Sequence, residues 1–110
     1  MNDTTAEIVQ RSAKDMIERL RARAAEVGVI GLGYVGLPLA MAAARAGHRV
    51  TGFDVDGDKI AELAAGRSYI ESVTSEALRT ELEQARFEAT ADFSRLAACD
   101  IVIICVPTPL

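Results

Sequence analysis

The segment Gly31 to Gly36, "GLGYVG", has the spacing best suited to chemistry in this chain of 110 residues. In a G-x-G-x-x-G pattern, Gly31 permits a tight turn, Gly33 lets a diphosphate approach the backbone, and Gly36 lets a following helix pack closely. Asp54 follows 21 residues after Gly33. Free N–H groups at a helix start bind phosphate, and a carboxylate at this distance accepts hydrogen bonds from ribose hydroxyls.

The glycine pattern is informative only if a strand precedes it and a helix follows it, and the sequence predicts both. Residues 26–31 have the β-forming composition of a short buried strand. The alanine-rich stretch 34–46 predicts a helix that stops at Gly47. A second strand over 48–53 then places Asp54 at its carboxyl end. This context makes a dinucleotide the predicted ligand.

The rest of the chain continues the alternation of strands and helices. It predicts a helix over 57–65 capped by Asp56, a helix over 74–86, the strand "FEAT", a short helix in "DFSRLAA" capped by Asp92, and a last strand in "DIVIICVP". We therefore predict an α/β fold, the first half of a Rossmann-type doubly wound parallel sheet with strand order 3-2-1-4 and an N-terminal helix. The uninterrupted apolar run of the last strand predicts cover on both faces.

The helix predicted over 74–86 carries two further expectations. Its apolar residues Leu78, Leu82 and Ala85 are predicted to face inward. The glutamates of this region form no evident acid–base pair and are predicted to be solvated charges: Glu71, Glu76, Glu81 and Glu83.

Residues 1–25 are predicted to form a helical extension before a dinucleotide-binding domain over 26–110. Thr4 and Glu7 have capping-box spacing. An apolar stripe that includes Ile8, Val9 and Ile17 follows at helical spacing and is predicted to pack on the domain or on another subunit.

Composition excludes several classes of function. A net charge of −4, mixed signs and few aromatic residues argue against nucleic acid as a partner. The apolar run after Val27 contains four glycines and Pro38, so a membrane span is not expected. No zinc-type cysteine pattern or leader pattern is present, which predicts a cytoplasmic chain with reduced Cys99 and Cys105 and no metal. Cys105 is predicted to lie in the core or to line the cofactor pocket, rather than to act as a nucleophile.

The acidic residue also selects between the two nicotinamide dinucleotides. The carboxylate of Asp54 would repel a 2′-phosphate, and no arginine directly follows it in "FDVDGD". NAD is therefore the predicted cofactor, in preference to NADP.

Four segments together resemble the UDP-glucose/GDP-mannose dehydrogenase family: "VGVIGLGYVGLPLA", "GFDVDGDKIAELAAGRSYI", "FEATADFSRLAACD" and "VIICVPTPL". The likeness runs from about residue 27 to 110 and is greatest to the bacterial branch that acts on UDP-N-acetylglucosamine. It implies an NAD-dependent oxidoreductase of polysaccharide biosynthesis that oxidises the C6 alcohol of a UDP-sugar to the carboxylate. The reaction would use two NAD molecules and pass through an aldehyde and a cysteine thioester, in a protein that is a homo-oligomer at full length.

The resemblance also implies roles for individual residues. Tyr34 and Val35 would contact NAD through the loop backbone, Lys59 would lie near the adenosine end, and Thr108 would lie near the bridging region of the cofactor. The family's catalytic residues fall beyond Leu110, so the resemblance implies that the NAD-binding Rossmann domain over 26–110 is truncated. We therefore expect no catalytic residue and no turnover in this chain alone. Two alternatives stay open: a non-catalytic nucleotide-binding or pairing module, and a fragment of a β-hydroxyacid-type dehydrogenase.

Overall fold

A computed structural model describes residues 4–21 and 25–105 of the chain. The elements are α1 (Thr5–Arg21), β1 (Glu26–Ile30), α2 (Gly36–Arg45), β2 (Arg49–Phe53), α3 (Gly57–Ala64), α4 (Ser75–Glu83), β3 (Phe87–Thr90), a 3₁₀ helix (Phe93–Ala98) and β4 (Ile101–Ile104). Each predicted element forms, although α2 begins two residues later than the sequence predicted and α4 ends three residues earlier.

The four strands form one parallel sheet in the order β3-β2-β1-β4, as predicted. The central strand β1 pairs with β2 on one side, with Val27 opposite Val50, and with β4 on the other, with Val27 opposite Ile101. The chain crosses from one side of β1 to the other between β3 and β4. At such a switch point the loops after the strands diverge, and the crevice above β1 is where this class of sheet binds ligands.

The core lies between the sheet and helices α2, α3 and α4. Helix α2 contributes the longest buried face, and the other helices add single leucines: Leu37, Ala40, Met41, Ala44, Leu63 and Leu78. Full burial of one leucine stabilises the fold by about 1.5–3 kcal/mol. This packing fixes α2 against β1, and so fixes the loop between them.

The opposite face of the sheet is covered unevenly. Phe93 of the 3₁₀ helix packs on Phe53, with ring centroids 5.6 Å apart, so that β2 is covered. On β4, Val102 and Ile104 remain 42% and 67% exposed. The prediction that the last strand is covered on both faces is therefore wrong for the described residues, because the 3₁₀ helix covers β2 rather than β4.

Two expectations for the end of α4 are also wrong. Ala85 does not face inward: it is exposed and lies beyond the helix with a φ of +56°, in the left-handed turn that ends it. Glu81 is not solvated but only 2% exposed. Its carboxylate accepts two hydrogen bonds of 3.0 Å from the Arg86 guanidinium, a partner that the turn brings back over the helix end.

Helix α1 begins with the predicted capping box. The Glu7 N–H donates to Thr4 Oγ1 at 3.2 Å, and the Thr4 N–H donates to Glu7 Oε2 at 3.3 Å. Its stripe is not packed on the domain, since Ile8, Val9 and Ile17 are each about half exposed. Residues 22–24, where the sequence predicted the helix to continue, lie outside the described residues. Across the described ranges, no helix combines the length and apolarity needed to cross a membrane.

Candidate functional site: the cleft above the glycine loop

The loop between β1 and α2 depends on its glycines for two steric reasons. Gly31 has a φ of +94°, in the left-handed region, and its N–H donates to the Phe53 carbonyl at 2.8 Å. A Cβ added to Gly36 would lie 1.6 Å from the Gly31 carbonyl oxygen, so only glycine permits this approach of helix to loop. A Cβ added to Gly33 would meet no atom within 4 Å. The space beside Gly33 is therefore open to a ligand.

The start of α2 leaves polar hydrogens unused. Val35 precedes the helix and makes no side-chain cap, and Pro38 in the first turn has no N–H. No acceptor among the described residues takes the N–H groups of Tyr34, Val35 or Gly36. Unpaired N–H groups and the positive end of the helix dipole together favour an anion here.

Asp54 lies directly after β2 and is tied to the loop by its own carboxylate. Oδ2 accepts the Leu32 N–H and Oδ1 accepts the Asp56 N–H, both at 2.9 Å. A carboxylate has about four lone-pair sites, so each oxygen retains capacity for a further donor. The side chain is thus held in place and still able to accept hydrogen bonds from two hydroxyl groups.

Tyr69 is a site residue that sequence reasoning missed, since the sequence predicted only a connection around it. Its hydroxyl donates to the Leu32 carbonyl at 2.5 Å, and Lys59 Nζ lies 5.8 Å from its ring centroid. Burial, followed by the charges of Asp54 and Asp56, raises the pKa of Tyr69 to about 12. The phenol therefore remains a hydrogen-bond donor at every ordinary pH. The only signal in the sequence was an aromatic residue within a polar connection.

The glycine loop, Asp54 and Lys59 border a cleft of about 470 Å³, within the range typical of small-molecule sites. It brings together six of the predicted residues: Gly31, Gly33, Tyr34, Val35, Asp54 and Lys59. Gly36 lies buried behind the loop, and Thr108 lies outside the described residues. Cys105, predicted to lie in the core or to line the cofactor pocket, lines the cleft together with Phe93 and also packs against the core.

The chemistry of this cleft fits NAD. The free N–H groups at the start of α2 suit a diphosphate, and Asp54 suits the hydroxyls of the adjoining ribose. A 2′-phosphate at that ribose would lie against the Asp54 carboxylate, with Asp56 close by, and would be repelled. The described residues contain no group of three potential metal ligands.

The sheet order, the glycine loop and the carboxylate after the second strand define a Rossmann-type NAD-binding domain. The sequence profile for the NAD binding domain of the UDP-glucose/GDP-mannose dehydrogenase family matches residues 25–110. The chain belongs to this family, and its cofactor is NAD.

Individual relatives agree with this assignment. The chain is similar to the UDP-N-acetyl-D-glucosamine 6-dehydrogenases of Salmonella typhi and Pseudomonas aeruginosa, with 40% and 42% identity over 77% of the chain and 19% of each relative. Among solved structures it resembles the UDP-D-ManNAc dehydrogenase of Pyrococcus horikoshii, with a TM-score of 0.73 and 34% identity over 77% of this chain and 21% of that one. Other relatives are named as GDP-mannose and UDP-glucose 6-dehydrogenases. The chain spans about one fifth of the length of these relatives.

Proposed function

We propose that this chain is the NAD-binding N-terminal part of a nucleotide-sugar 6-dehydrogenase. The whole enzyme would oxidise the C6 alcohol of a UDP-sugar to the carboxylate, with UDP-N-acetylglucosamine favoured. The observation that carries the proposal is the pairing of unused N–H groups at the start of α2 with the Asp54 carboxylate one strand away. The sugar is chosen from the names of two relatives at 40% and 42% identity.

Within this proposal the polar groups of the cleft have binding roles. The N–H groups of Tyr34 and Val35 hold the diphosphate, which comes close to the backbone because Gly33 has no side chain, and Gly36 lets α2 pack against the loop. Asp54 accepts hydrogen bonds from the adenosine ribose, and Lys59 lies toward the adenosine end.

The remaining roles concern Gly31, Thr108 and the cofactor itself. Gly31 supplies the turn out of β1 that places the loop below the diphosphate. Thr108 is proposed, from the family resemblance alone, to lie near the bridging region of the cofactor. NAD would supply the hydride acceptor, and this chain would supply its binding and orientation.

The wider biology is part of the same proposal. The chain by itself binds NAD and shows no turnover, because by resemblance the nucleophilic cysteine and the UDP-sugar site belong to the rest of the enzyme. The full enzyme is a cytoplasmic homo-oligomer in polysaccharide biosynthesis. The family match favours this reading over a β-hydroxyacid-type dehydrogenase fragment.

Calorimetric titration of the chain with NAD and NADP tests the cofactor site. Asp54→Asn removes one charged acceptor, and hydrogen bonds to charged groups contribute about 1.5–3 kcal/mol, so NAD affinity should fall by about 10-fold or more. The ratio of NAD affinity to NADP affinity should also fall. Asp58→Asn is the matched control, because it removes the same charge from an exposed position in the first turn of α3.

Three results would contradict the proposal. Binding of NADP without any heat from NAD would remove the assigned cofactor role of Asp54. An equal loss of NAD affinity in Asp54→Asn and Asp58→Asn would mean that only net charge matters. Steady NADH production from a UDP-sugar by the chain alone would contradict the expected lack of turnover.

A further inference from the structure

Leu32, between the first two glycines of the loop, is fixed by three separate parts of the chain. Its side chain is fully buried against β2, where a Cβ added to Gly52 would lie 2.7 Å from Leu32 Cδ2. Its N–H donates to Asp54, and its carbonyl accepts the Tyr69 hydroxyl. All the groups of Leu32 are therefore engaged, whereas the N–H groups that follow it in the loop are unused.

Tyr69 is well placed to act on the loop without touching a ligand. It lies 37 residues from Leu32 in sequence, in the connection between α3 and α4. Lys59 lies near its ring, at a distance where a cation is attracted to the aromatic face. Tyr69 is not among the residues that line the cleft. Its hydroxyl thus reaches the loop from behind.

We infer that Tyr69 is a positioning residue for the diphosphate of the cofactor. By holding the Leu32 carbonyl, its hydroxyl fixes the loop in the conformation that keeps the N–H groups of Tyr34 and Val35 available before the ligand arrives. A site ordered in advance loses less conformational freedom on binding. The inference rests on the proposed function, and it adds a residue outside the ligand's reach.

The test compares Tyr69→Phe with the wild-type chain in NMR titrations, which follow weak binding, using ADP and adenosine as ligands. The variant keeps the ring and removes only the hydroxyl. Loss of one hydrogen bond should lower ADP affinity by about 2- to 10-fold. Adenosine affinity should be unchanged because adenosine has no diphosphate. A purely structural role for Tyr69 would change both affinities or neither.

Thr74→Ala is the matched control for stability. Its hydroxyl accepts the Ala77 N–H at 3.0 Å and caps α4, outside the residues that line the cleft. Removing a helix cap destabilises a protein without touching the loop. Thr74→Ala should therefore unfold at lower urea concentration and bind both ligands as the wild type does.

A second measurement on the wild type needs no variant. Coupling between two sites is reciprocal. If the Tyr69 hydrogen bond strengthens ADP binding, then bound ADP must stabilise that hydrogen bond. The hydroxyl proton of Tyr69 should exchange with water more slowly when ADP is bound. This measurement decides the question if Tyr69→Phe shows no cooperative unfolding.

The outcomes separate the two proposals. Selective loss of ADP affinity in Tyr69→Phe, or slower hydroxyl exchange with ADP, supports the positioning role. Unchanged ADP affinity, equal loss for ADP and adenosine, or hydroxyl exchange that is indifferent to saturating ADP overturns it. A wild-type chain that binds neither NAD nor ADP overturns the proposed function and this inference with it.

Discussion

Replacing the loop glycines by alanine should separate folding from cofactor binding. At Gly36 a Cβ would lie 1.6 Å from a backbone oxygen, whereas real Cβ contacts essentially never fall below 3.0 Å. Helix α2 would therefore have to move by about 1.4 Å from the loop while its buried face remains packed on the sheet. Forced overpacking of this kind destabilises proteins by about 1–3 kcal/mol, from a total stability of about 5–15 kcal/mol.

Gly33→Ala should weaken cofactor binding and leave the stability of the fold almost unchanged. Its Cβ meets nothing within 4 Å, and its φ lies outside the left-handed region, so the folded chain should accept alanine with little change in stability. The same methyl group would occupy space that the diphosphate needs. A steric penalty of about 1–3 kcal/mol corresponds to a loss of NAD affinity of about 5- to 150-fold.

Gly57→Ala completes the comparison as a control, because it is a helical glycine with nothing within 4 Å and lies outside the cleft lining. Urea unfolding followed by circular dichroism gives stability, and calorimetry gives NAD affinity. We expect Gly36→Ala to lose both, Gly33→Ala to lose only affinity, and Gly57→Ala to lose neither. Wild-type NAD affinity in a well-folded Gly33→Ala would refute the placement of the diphosphate, and wild-type stability in Gly36→Ala would refute the close approach of helix to loop.

Three further predictions concern other side chains. ADP should protect Cys105 from iodoacetamide, because Cys105 lines the cleft. Cys99 should react slowly with or without ADP, because burial raises the pKa of its thiol. Equal protection of the two cysteines by ADP would argue against the site. Folding keeps Tyr69 protonated up to a pKa of about 12, so the unfolded chain loses this proton first and stability should fall between about pH 10 and 12. Because solvent screens the half-buried ring, the free energy of unfolding should fall by only about 1 kcal/mol more in wild type than in Tyr69→Phe. Urea unfolding at about pH 10 and about pH 12 measures this difference, and equal losses in the two proteins would contradict the prediction. Glu81→Gln should destabilise the chain by about 1–3 kcal/mol because it weakens the hydrogen bonds to Arg86, whereas Glu83→Gln, at an exposed position, should change stability little. Equal urea midpoints for the two variants would show that the Glu81–Arg86 pair does not contribute to stability.

The sequence by itself determined the elements and their order, because these depend on local chemistry. Each predicted helix cap is a hydrogen bond between residues that are close in sequence: Asp56 accepts the N–H groups of Asp58 and Lys59, and Asp92 accepts that of Ser94. Alternation of strands and helices with a glycine loop after β1 was enough to predict a parallel sheet in the order 3-2-1-4. The spacing of Gly33 and Asp54, with Asp54 at the end of the second strand, likewise placed the carboxylate beside the loop.

Only the tertiary structure decided which side chains meet across long stretches of sequence. Tyr69 reaches Leu32 from 37 residues away, and no local pattern distinguishes it from an ordinary connection residue. Glu81 is buried because a left-handed turn at Ala85 returns Arg86 to it, whereas its helical spacing indicated a solvated charge. The exposed half of β4 likewise depends on where the 3₁₀ helix settles. Such contacts follow from the packing of whole elements, and the spacing of residues within one element does not predict them.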